Sequence, residues 1–188
     1  MVFKIYKGNL SENKIIFMAT VFIGIGSNIG KRKENIDKAL KLISEQIKIN
    51  KVSTLYKNPP KEGVKGGYFI NCVLKGKTEY SPEKLFLSLQ NIEKNLGRKN
   101  YHKQGEARII DLDILFYDDK IINKENICIP HPRLHHRDFV LKGLFEIAPL
   151  KKHPVLKESI KQLWRILNAD NIKDSGNTKY NKPGKKTK

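Results

Sequence analysis

The segment from Arg108 to Phe116 places two aspartates and one arginine in an otherwise apolar run. In a β-strand, successive side chains alternate between faces, so Asp111 and Asp113 would share a face about 7 Å apart. Two carboxylates that close repel each other unless a cation lies between them, and their oxygen atoms suit Mg²⁺ carrying a polyphosphate. Arg108 would offer a planar guanidinium to a nearby phosphate. The alternative is a solvated strand with alternating charges, because two aspartates alone do not identify a metal site.

A second predicted strand, over residues 68–74, combines an aromatic ring with an amide. Phe69 and Asn71 are two positions apart and would therefore lie on one face of that strand. An amide offers both donors and acceptors, so the pair suits a flat heterocycle with polar groups at its edge. The alternative is an ordinary core phenylalanine beside a polar residue at the end of a strand.

Basic residues are concentrated in two loops and in one histidine-rich segment. The loops, residues 57–67 and 98–107, contain glycine together with lysine or arginine, and loops of this kind often close over a ligand. Residues 130–139 contain three histidines and two arginines. We do not expect zinc there, because no cysteine or acidic ligand has a suitable spacing and Pro132 interrupts any helical pairing of the histidines. Arginine and neutral imidazole groups around a polyphosphate are the better interpretation.

The length and composition indicate one globular domain with an anionic ligand. The chain has 188 residues, of which 39% are hydrophobic, and its net charge is +18. Residues 171–188 contain six lysines and one aspartate with few apolar residues, which is typical of a disordered basic tail. We therefore predict a domain over residues 18–170, preceded by an extension of residues 1–17.

Neither the cysteines nor the N-terminal segment indicates secretion or a membrane span. Cys72 and Cys128 show no metal-binding or redox spacing, so a reduced cytoplasmic protein is expected. Three lysines precede the uncharged run of residues 15–30, as in a signal peptide. Cleavage there would remove a predicted strand and the glycine-rich turn after it, however, and Met18 opens a more ordinary sequence. Glycine, serine and asparagine also interrupt the run before it could span a membrane.

The hydrophobic periodicity predicts a β-α-β-β-α-β order. The strands are expected over residues 21–25, 52–56, 68–74 and 109–117, and the helices carry apolar stripes over 36–47 and 85–96. Ser81 followed by Pro82 is a typical helix start. The two middle strands are too close in sequence for a crossover helix, so we predict an α+β ferredoxin-like sandwich, a mainly antiparallel sheet with helices packed on one face. Residues 140–147 and 160–167 are predicted to be further helical segments.

The ordered set of motifs between residues 20 and 167 resembles one family, the 6-hydroxymethyl-7,8-dihydropterin pyrophosphokinases of folate synthesis. Several motifs in the correct order are far more specific than any single one. The motifs are FIGIGSNIG (22–30), STLY (53–56) with two prolines at 59–60, FIN (69–71), QNIE (90–93), GR (97–98), RIIDLDIL (108–115), PHPR (130–133) and RDF (137–139).

The resemblance implies the ferredoxin-like fold and a specific transferase reaction. The β,γ-diphosphate of ATP would move to the hydroxymethyl oxygen of 6-hydroxymethyl-7,8-dihydropterin, with release of AMP. Such a transfer depends on positioning and on charge neutralisation rather than on a nucleophilic side chain. ATP and the pterin are therefore the expected partners, two Mg²⁺ ions are the expected cofactor, and a monomer is expected.

The resemblance also implies a role for each matching residue. Asp111 and Asp113 would hold the Mg²⁺ ions, and with Arg98 and Arg108 they form the expected catalytic set. If the two carboxylates only repel each other, Asp111→Ala should abolish turnover without lowering stability. The pterin would contact Asn58, Pro59, Lys61, Phe69, Asn71 and Phe139, with the two phenylalanines on either side of its ring. The nucleotide would contact Gln90, Glu93, Arg98, Arg108, Ile114, His131 and Arg137, with Glu93 in a supporting role.

Five positions depart from the family pattern. Asn100 replaces a frequent second arginine, Glu106 and Ala107 replace the usual Gly-Pro, and Gly105 stands where some members have tryptophan. These changes fall in one loop, so they affect the expected rate and loop closure more than the reaction type. Pro132 replaces an aromatic residue beside the histidine of some relatives. That change weakens one nucleotide contact.

Two other functional classes share some of these features. A polymerase-β-like nucleotidyltransferase also combines Gly-Ser with two aspartates, but there the two motifs lie close together, whereas Ser27 and Asp111 are 84 positions apart. A basic nucleic-acid-binding module would explain the charge and the lysine-rich tail, but it would not explain an acidic pair on a half-buried strand. A nucleic-acid partner is therefore not expected. The chain is also compatible with one domain of a longer folate-pathway polypeptide.

Overall fold

The computed structural model describes residues 17–60, 66–98 and 106–176, with side chains as far as Ala169. The predicted β-α-β-β-α-β order is present with one additional short strand, β3, between its second and third strands, and further elements follow it. They are β1 (Ala19–Ser27), α1 (Arg32–Ser44), β2 (Lys48–Val52), β3 (Tyr56–Asn58), β4 (Phe69–Thr78), α2 (Pro82–Asn95), β5 (Asp111–Tyr117), β6 (Ile122–Lys124), β7 (Ile127–Ile129), a 3₁₀ turn (Leu134–His136), α3 (Asp138–Ile147) and α4 (Ile160–Gly176).

The central sheet is antiparallel and has the strand order β2-β4-β1-β5. The short strand β3 pairs with β4 beyond the end of β2, and β6 and β7 form a separate hairpin. Helix α2 begins as the sequence predicts, because the Ser81 hydroxyl accepts a hydrogen bond from the Lys84 backbone N–H and Pro82 is the first helical residue. The predicted α+β fold, an antiparallel sheet with packed helices, is confirmed.

Apolar side chains cover both faces of this sheet, so the expectation of helices on one face is wrong. Consecutive residues of β1 are buried, and they point alternately to two different cores. Val21, Ile23 and Ile25 pack with α1 and α2, whereas Phe22 packs with α3 and α4. The two late helices, whose existence the periodicity predicts, therefore form a third layer.

Three further differences have local causes. The predicted bounds of the strand over 52–56 are wrong, because residues 53–55 separate β2 from β3. The Ser53 backbone N–H donates to the Val73 carbonyl, and the Ser53 hydroxyl accepts from the Val73 backbone N–H. The β6–β7 hairpin was not predicted, since each strand has only three residues. Helix α4 extends to Gly176, into the segment 171–188 predicted as a disordered tail. Residues 177–188 and 1–16 lie outside the described residues.

The functional residues gather at one edge of the sheet because β1 runs antiparallel to both of its neighbours. Gly26, near the end of β1, lies opposite both Asn71 of β4 and Asp111 of β5. A Cβ atom at Gly26 would lie 2.5 Å from the Asn71 side-chain oxygen, so only glycine leaves room for that amide. Within the described ranges, no helix has both the length and the apolar character required to cross a membrane.

Candidate active site

Asp111 and Asp113 lie on the same face of β5, as strand alternation predicts. Between and beyond them, Leu112 and Ile114 point into the core formed with α1 and α2. The two aspartate side chains remain 19% and 32% exposed, respectively. Both carboxylates can therefore be reached by a ligand on the α3 side of the sheet.

Basic side chains surround this acidic pair. Arg98 and Arg108 each donate to one oxygen of Asp111 at 2.8 Å. Arg137 donates to Asp113 Oδ2 at 3.0 Å, and His131 Nε2 lies 3.6 Å from the same oxygen. All four residues predicted to contact ATP phosphates are thus brought together, and the pair of carboxylates is neutralised rather than only self-repelling.

The surrounding charges set the protonation states of the site. Burial raises the pKa of Asp111, but Arg108 and Arg98 outweigh burial and hold that pKa below its ordinary value. The pKa of His131 is lowered, mainly by burial, although the Asp113 carboxylate opposes the change. At neutral pH the site therefore contains an ionised Asp111 and a neutral imidazole.

Glu93 connects α2 to β5. Its carboxylate accepts from the Leu112 backbone N–H at 2.7 Å and forms a short ion pair with Arg98. Glu93 is only 7% exposed, and burial raises its pKa to about 7 against the opposing effect of Arg98. In this arrangement Glu93 orients Arg98 toward Asp111, as a supporting residue would, and its predicted contact with the nucleotide stays a prediction.

The residues predicted for pterin binding lie beside the acidic pair. Asn71 donates through its side chain to the Asn58 side-chain oxygen, and Phe69 lies opposite Asn58 in the β3–β4 pairing. Phe139 belongs to α3 on the same side of the sheet, with the Arg137 guanidinium 6.0 Å from its ring centre. Pro59 follows β3 directly, and Lys61 lies outside the described residues.

A cavity of about 420 Å³ lies between α2 and the β6–β7 hairpin. Gln90, predicted to contact the nucleotide, lines it together with the apolar residues Phe86, Leu87 and Ile127. Ile114, predicted for the same role, lies in the core under the sheet and does not line this cavity. The β6–β7 side of this cavity was not predicted from the sequence. The alternation of Ile127 and Ile129 around Cys128 was a signal that could have indicated a strand there.

A carboxylate on α3 fixes the strand that carries Asn58. Glu146 accepts from the Thr54 backbone N–H at 3.0 Å and from the Thr54 hydroxyl at 2.9 Å, and it also accepts a short hydrogen bond from the Tyr56 hydroxyl. Sequence reasoning did not identify Glu146, because its partners are 90 or more positions earlier in the chain. This contact connects the third layer to the predicted pterin side of the site.

Within the part of the chain that the structure describes, no three or more His, Cys, Asp or Glu side chains form a metal-binding group. Asp111 and Asp113 by themselves supply two carboxylate groups as oxygen ligands. A divalent ion at these carboxylates would need further oxygen ligands from a phosphorylated substrate or from water, which is the usual situation for Mg²⁺.

The comparisons with known proteins agree with this geometry. The family profile described as 7,8-dihydro-6-hydroxymethylpterin-pyrophosphokinase (HPPK) matches residues 22–149. A 2-amino-4-hydroxy-6-hydroxymethyldihydropteridine pyrophosphokinase of Aquifex aeolicus is 41% identical over 145 residues, which cover 77% of this chain and 90% of that protein. The folic acid synthesis protein of Pneumocystis carinii is 43% identical over 164 residues, which cover 87% of this chain and 22% of that much longer protein.

A solved structure with a similar fold supports the architecture. In a triple mutant of Plasmodium falciparum HPPK-DHPS, the matching region has a TM-score of 0.70 at 18% identity and covers 87% of this chain and 46% of that one. At this level of identity the likeness concerns the fold, whereas the family profile and the A. aeolicus relative concern the sequence. The chain therefore belongs to the 7,8-dihydro-6-hydroxymethylpterin-pyrophosphokinase family, as its motifs predict.

Proposed function

We propose that this chain transfers the β,γ-diphosphate of ATP to 6-hydroxymethyl-7,8-dihydropterin in folate biosynthesis. The hydroxymethyl oxygen forms a bond to the β-phosphorus, the bond from that phosphorus to the oxygen bridging it to the α-phosphorus breaks, and the hydroxyl proton is released. The products are AMP and the pterin diphosphate. The observation that carries this proposal is the convergence of two carboxylates and four basic side chains at the sheet edge that also presents Phe69 and Asn71.

The arginines can exchange their carboxylate partners for phosphates when ATP binds. Arg98, Arg108 and Arg137 each pair with a carboxylate oxygen of the acidic strand. A phosphate offers a guanidinium the same planar, bidentate geometry as a carboxylate, so each arginine can turn to a phosphate oxygen without losing an anionic partner. His131, neutral by its lowered pKa, can donate one N–H to the same phosphates.

We also propose that Asp111 and Asp113 hold Mg²⁺ with the bound nucleotide. The donor set fits, because both carboxylates lie on one face and remain partly exposed, and the low pKa of Asp111 keeps it ionised at neutral pH. When bound, the metal would neutralise phosphate charge in the transition state. Arginines that turned to the phosphates would leave carboxylate oxygens of Asp111 and Asp113 free to hold the metal.

The two substrates would occupy opposite sides of the acidic pair. Asn71 and Asn58 can present amide donors and acceptors to the edge of the pterin, with Phe69 and Phe139 available to pack on its ring. The cavity lined by Gln90 also contains apolar residues and the Lys124–Glu83 ion pair, and its apolar and amide groups suit the adenine base. Gln90 and Glu93 are three positions apart on α2 and are therefore neighbours on its surface, and Glu93 pairs with Arg98.

A product assay tests the proposal directly. The purified chain is incubated with ATP, Mg²⁺ and 6-hydroxymethyl-7,8-dihydropterin, and the nucleotides are separated by anion-exchange chromatography. AMP and pterin diphosphate should appear in equal amounts, and neither should form when the pterin is omitted. EDTA in excess over Mg²⁺ should abolish both products. ADP as the sole nucleotide product would contradict the proposal.

We propose further that the active unit is a cytoplasmic monomer. The acidic pair, the arginines that pair with it and the Asn71–Asn58 contact lie together at one edge of one sheet. Size-exclusion chromatography with light scattering at the assay concentration should give a single species of the mass of one chain, about 21.7 kDa. Activity confined to a dimeric fraction would contradict this proposal.

A further inference from the structure

The turn between β1 and α1 contains a buried amide that the roles above do not use. Asn28 is only 2% exposed. Its backbone N–H donates to the Arg108 carbonyl at 3.1 Å, and its side-chain Oδ1 accepts from the Arg108 backbone N–H at 2.6 Å. One residue therefore holds both backbone polar groups of another residue that lies 80 positions later in the chain.

Arg108 depends on this contact because it lies outside the sheet. The hydrogen-bonded pairing of β5 with β1 begins at Asp111, opposite Gly26. The residues just before β5 are therefore not held by the strand ladder. The Arg108 guanidinium nevertheless reaches Asp111 Oδ2 at 2.8 Å, which requires its backbone to be fixed.

Asn28 also lies against the segment that leads into β4. Gly66 has a φ of +109°, and a Cβ atom there would lie 2.6 Å from Asn28 Nδ2 and 2.9 Å from the Ala107 Cβ. Only glycine fits this approach. Asn28 is thus in contact with the entries to both strands that carry the site, the entry to β4 at Gly66 and the entry to β5 at Arg108.

A second amide holds the turn itself in place. Asn35 Nδ2 donates to the Ile29 carbonyl at 3.1 Å, and it lies within hydrogen-bonding distance of the Ile109 carbonyl, at 3.2 Å. The turn that presents Asn28 is therefore connected to the segment before β5 at two neighbouring residues, Arg108 and Ile109. A fixed turn gives Asn28 a fixed position from which to hold Arg108.

We infer that Asn28 is a positioning residue for diphosphate transfer and holds Arg108 where its guanidinium meets the phosphates of ATP beside Asp111. The role of Arg108 toward ATP rests on the proposed function, whereas the hydrogen bonds from Asn28 do not. Misplacement of a substrate-positioning group by about 1 Å can cost on the order of 100-fold in rate. Loss of Asn28 should therefore impair the enzyme through Arg108.

A double-mutant cycle tests this dependence. Asn28→Ala should lower kcat/KM for ATP by roughly tenfold to 100-fold. If Asn28 acts through Arg108, the double variant Asn28→Ala, Arg108→Ala should be no slower than Arg108→Ala alone. Asn50→Ala, which changes an exposed asparagine on β2, serves as the matched control and should keep the wild-type rate. Fully additive losses would overturn the inference.

Hydrogen exchange supplies a readout that does not need activity. The Arg108 amide should exchange faster in Asn28→Ala than in the wild type, because it loses its acceptor. Asn28→Asp keeps that acceptor oxygen, so it should keep slow exchange and recover most of the activity. If Asn28→Ala does not fold, Gly66→Ala disturbs the same amide from the other side, and it should reproduce the kinetic loss.

The two proposals fail in different ways. Unchanged exchange of the Arg108 amide in Asn28→Ala would overturn the positioning inference even if the wild type forms AMP. Absence of AMP from the wild type would contradict the proposed function and the catalytic part of the inference, and the exchange result would still decide whether Asn28 holds Arg108.

Discussion

At the scale of single residues, the two aspartates differ in environment although the sequence presents them as a pair. Asp111 lies between two arginines and is the more buried, whereas Asp113 meets Arg137 and His131 and is the more exposed. Repulsion between the carboxylates is therefore not the main electrostatic effect at this site. For variants at Asp111, the structure therefore predicts a stability different from the one expected from the sequence.

Asp111→Ala should abolish turnover and also destabilise the protein, contrary to the expectation from the sequence alone. The substitution leaves Arg98 and Arg108 without the carboxylate that each contacts, and hydrogen bonds to charged groups contribute about 2 kcal/mol. Urea unfolding followed by the fluorescence of Trp164 should show a lower midpoint than for the wild type. Asp113→Ala, at the more exposed position, should show a smaller shift. Equal midpoints for Asp111→Ala and the wild type would favour the repulsion model.

His153 should make stability depend on pH. Its Nδ1 accepts from the backbone N–H groups of Val155 and Leu156, and burial, His135 and Lys151 together lower its pKa from 6.5 to about 4. The unfolded chain then binds a proton more readily than the folded one between these values. Stability should therefore be lost as pH falls from 6.5 toward 4.

The matched variant for this effect is His153→Asn, which keeps an acceptor near the position of Nδ1 but does not titrate. For each protein, the denaturant midpoint is measured at a pH above 6.5 and at a pH midway between 6.5 and 4. The difference between the two midpoints gives the pH dependence of stability. The wild type should lose more stability than His153→Asn over the same change. Parallel losses in both proteins would assign the effect to other groups.

At the scale of elements, local sequence patterns predicted the first two helices and the faces of the strands. They did not predict which distant residues and elements pack together. The apolar stripes and the Ser81 cap predicted α1 and α2, and strand alternation placed Asp111 and Asp113 on one face. The same patterns could not show that α3 and α4 cover the second face of the sheet. The spacing of apolar residues along a buried strand does not reveal which elements pack on it. Likewise, nothing local to Glu93 or Glu146 indicates which backbone each carboxylate holds.

Glu146 provides a test of how α3 supports the pterin side of the site. Glu146→Ala removes the acceptor that holds Thr54 and Tyr56, so β3 and Asn58 should lose their fixed position. We expect KM for the pterin to rise several-fold while KM for ATP stays close to the wild-type value. Glu146→Gln keeps one acceptor oxygen, so its KM for the pterin should lie between those of the wild type and Glu146→Ala. An equal rise in both KM values would indicate general loosening of the fold.

At the scale of the whole molecule, the net charge of +18 exceeds what the site itself requires. The basic side chains of the site are largely paired with its own carboxylates, so the excess charge lies elsewhere on the chain. Charge of this kind promotes non-specific attraction to polyanions and says little about the reaction. Catalysis and polyanion binding should therefore be separable by truncation.

Truncation after Gly176 is the appropriate cut, because a cut at residue 171 would remove the last part of α4. It removes five lysines and no acidic residue, which lowers the net charge from +18 to +13. Affinity for a random DNA duplex, measured by fluorescence anisotropy, should fall, and its dependence on salt concentration should become less steep. AMP formation should remain at the wild-type rate, because every described site residue precedes the cut. Loss of AMP formation, with α4 intact by circular dichroism, would show that the C-terminal segment contributes to the active site.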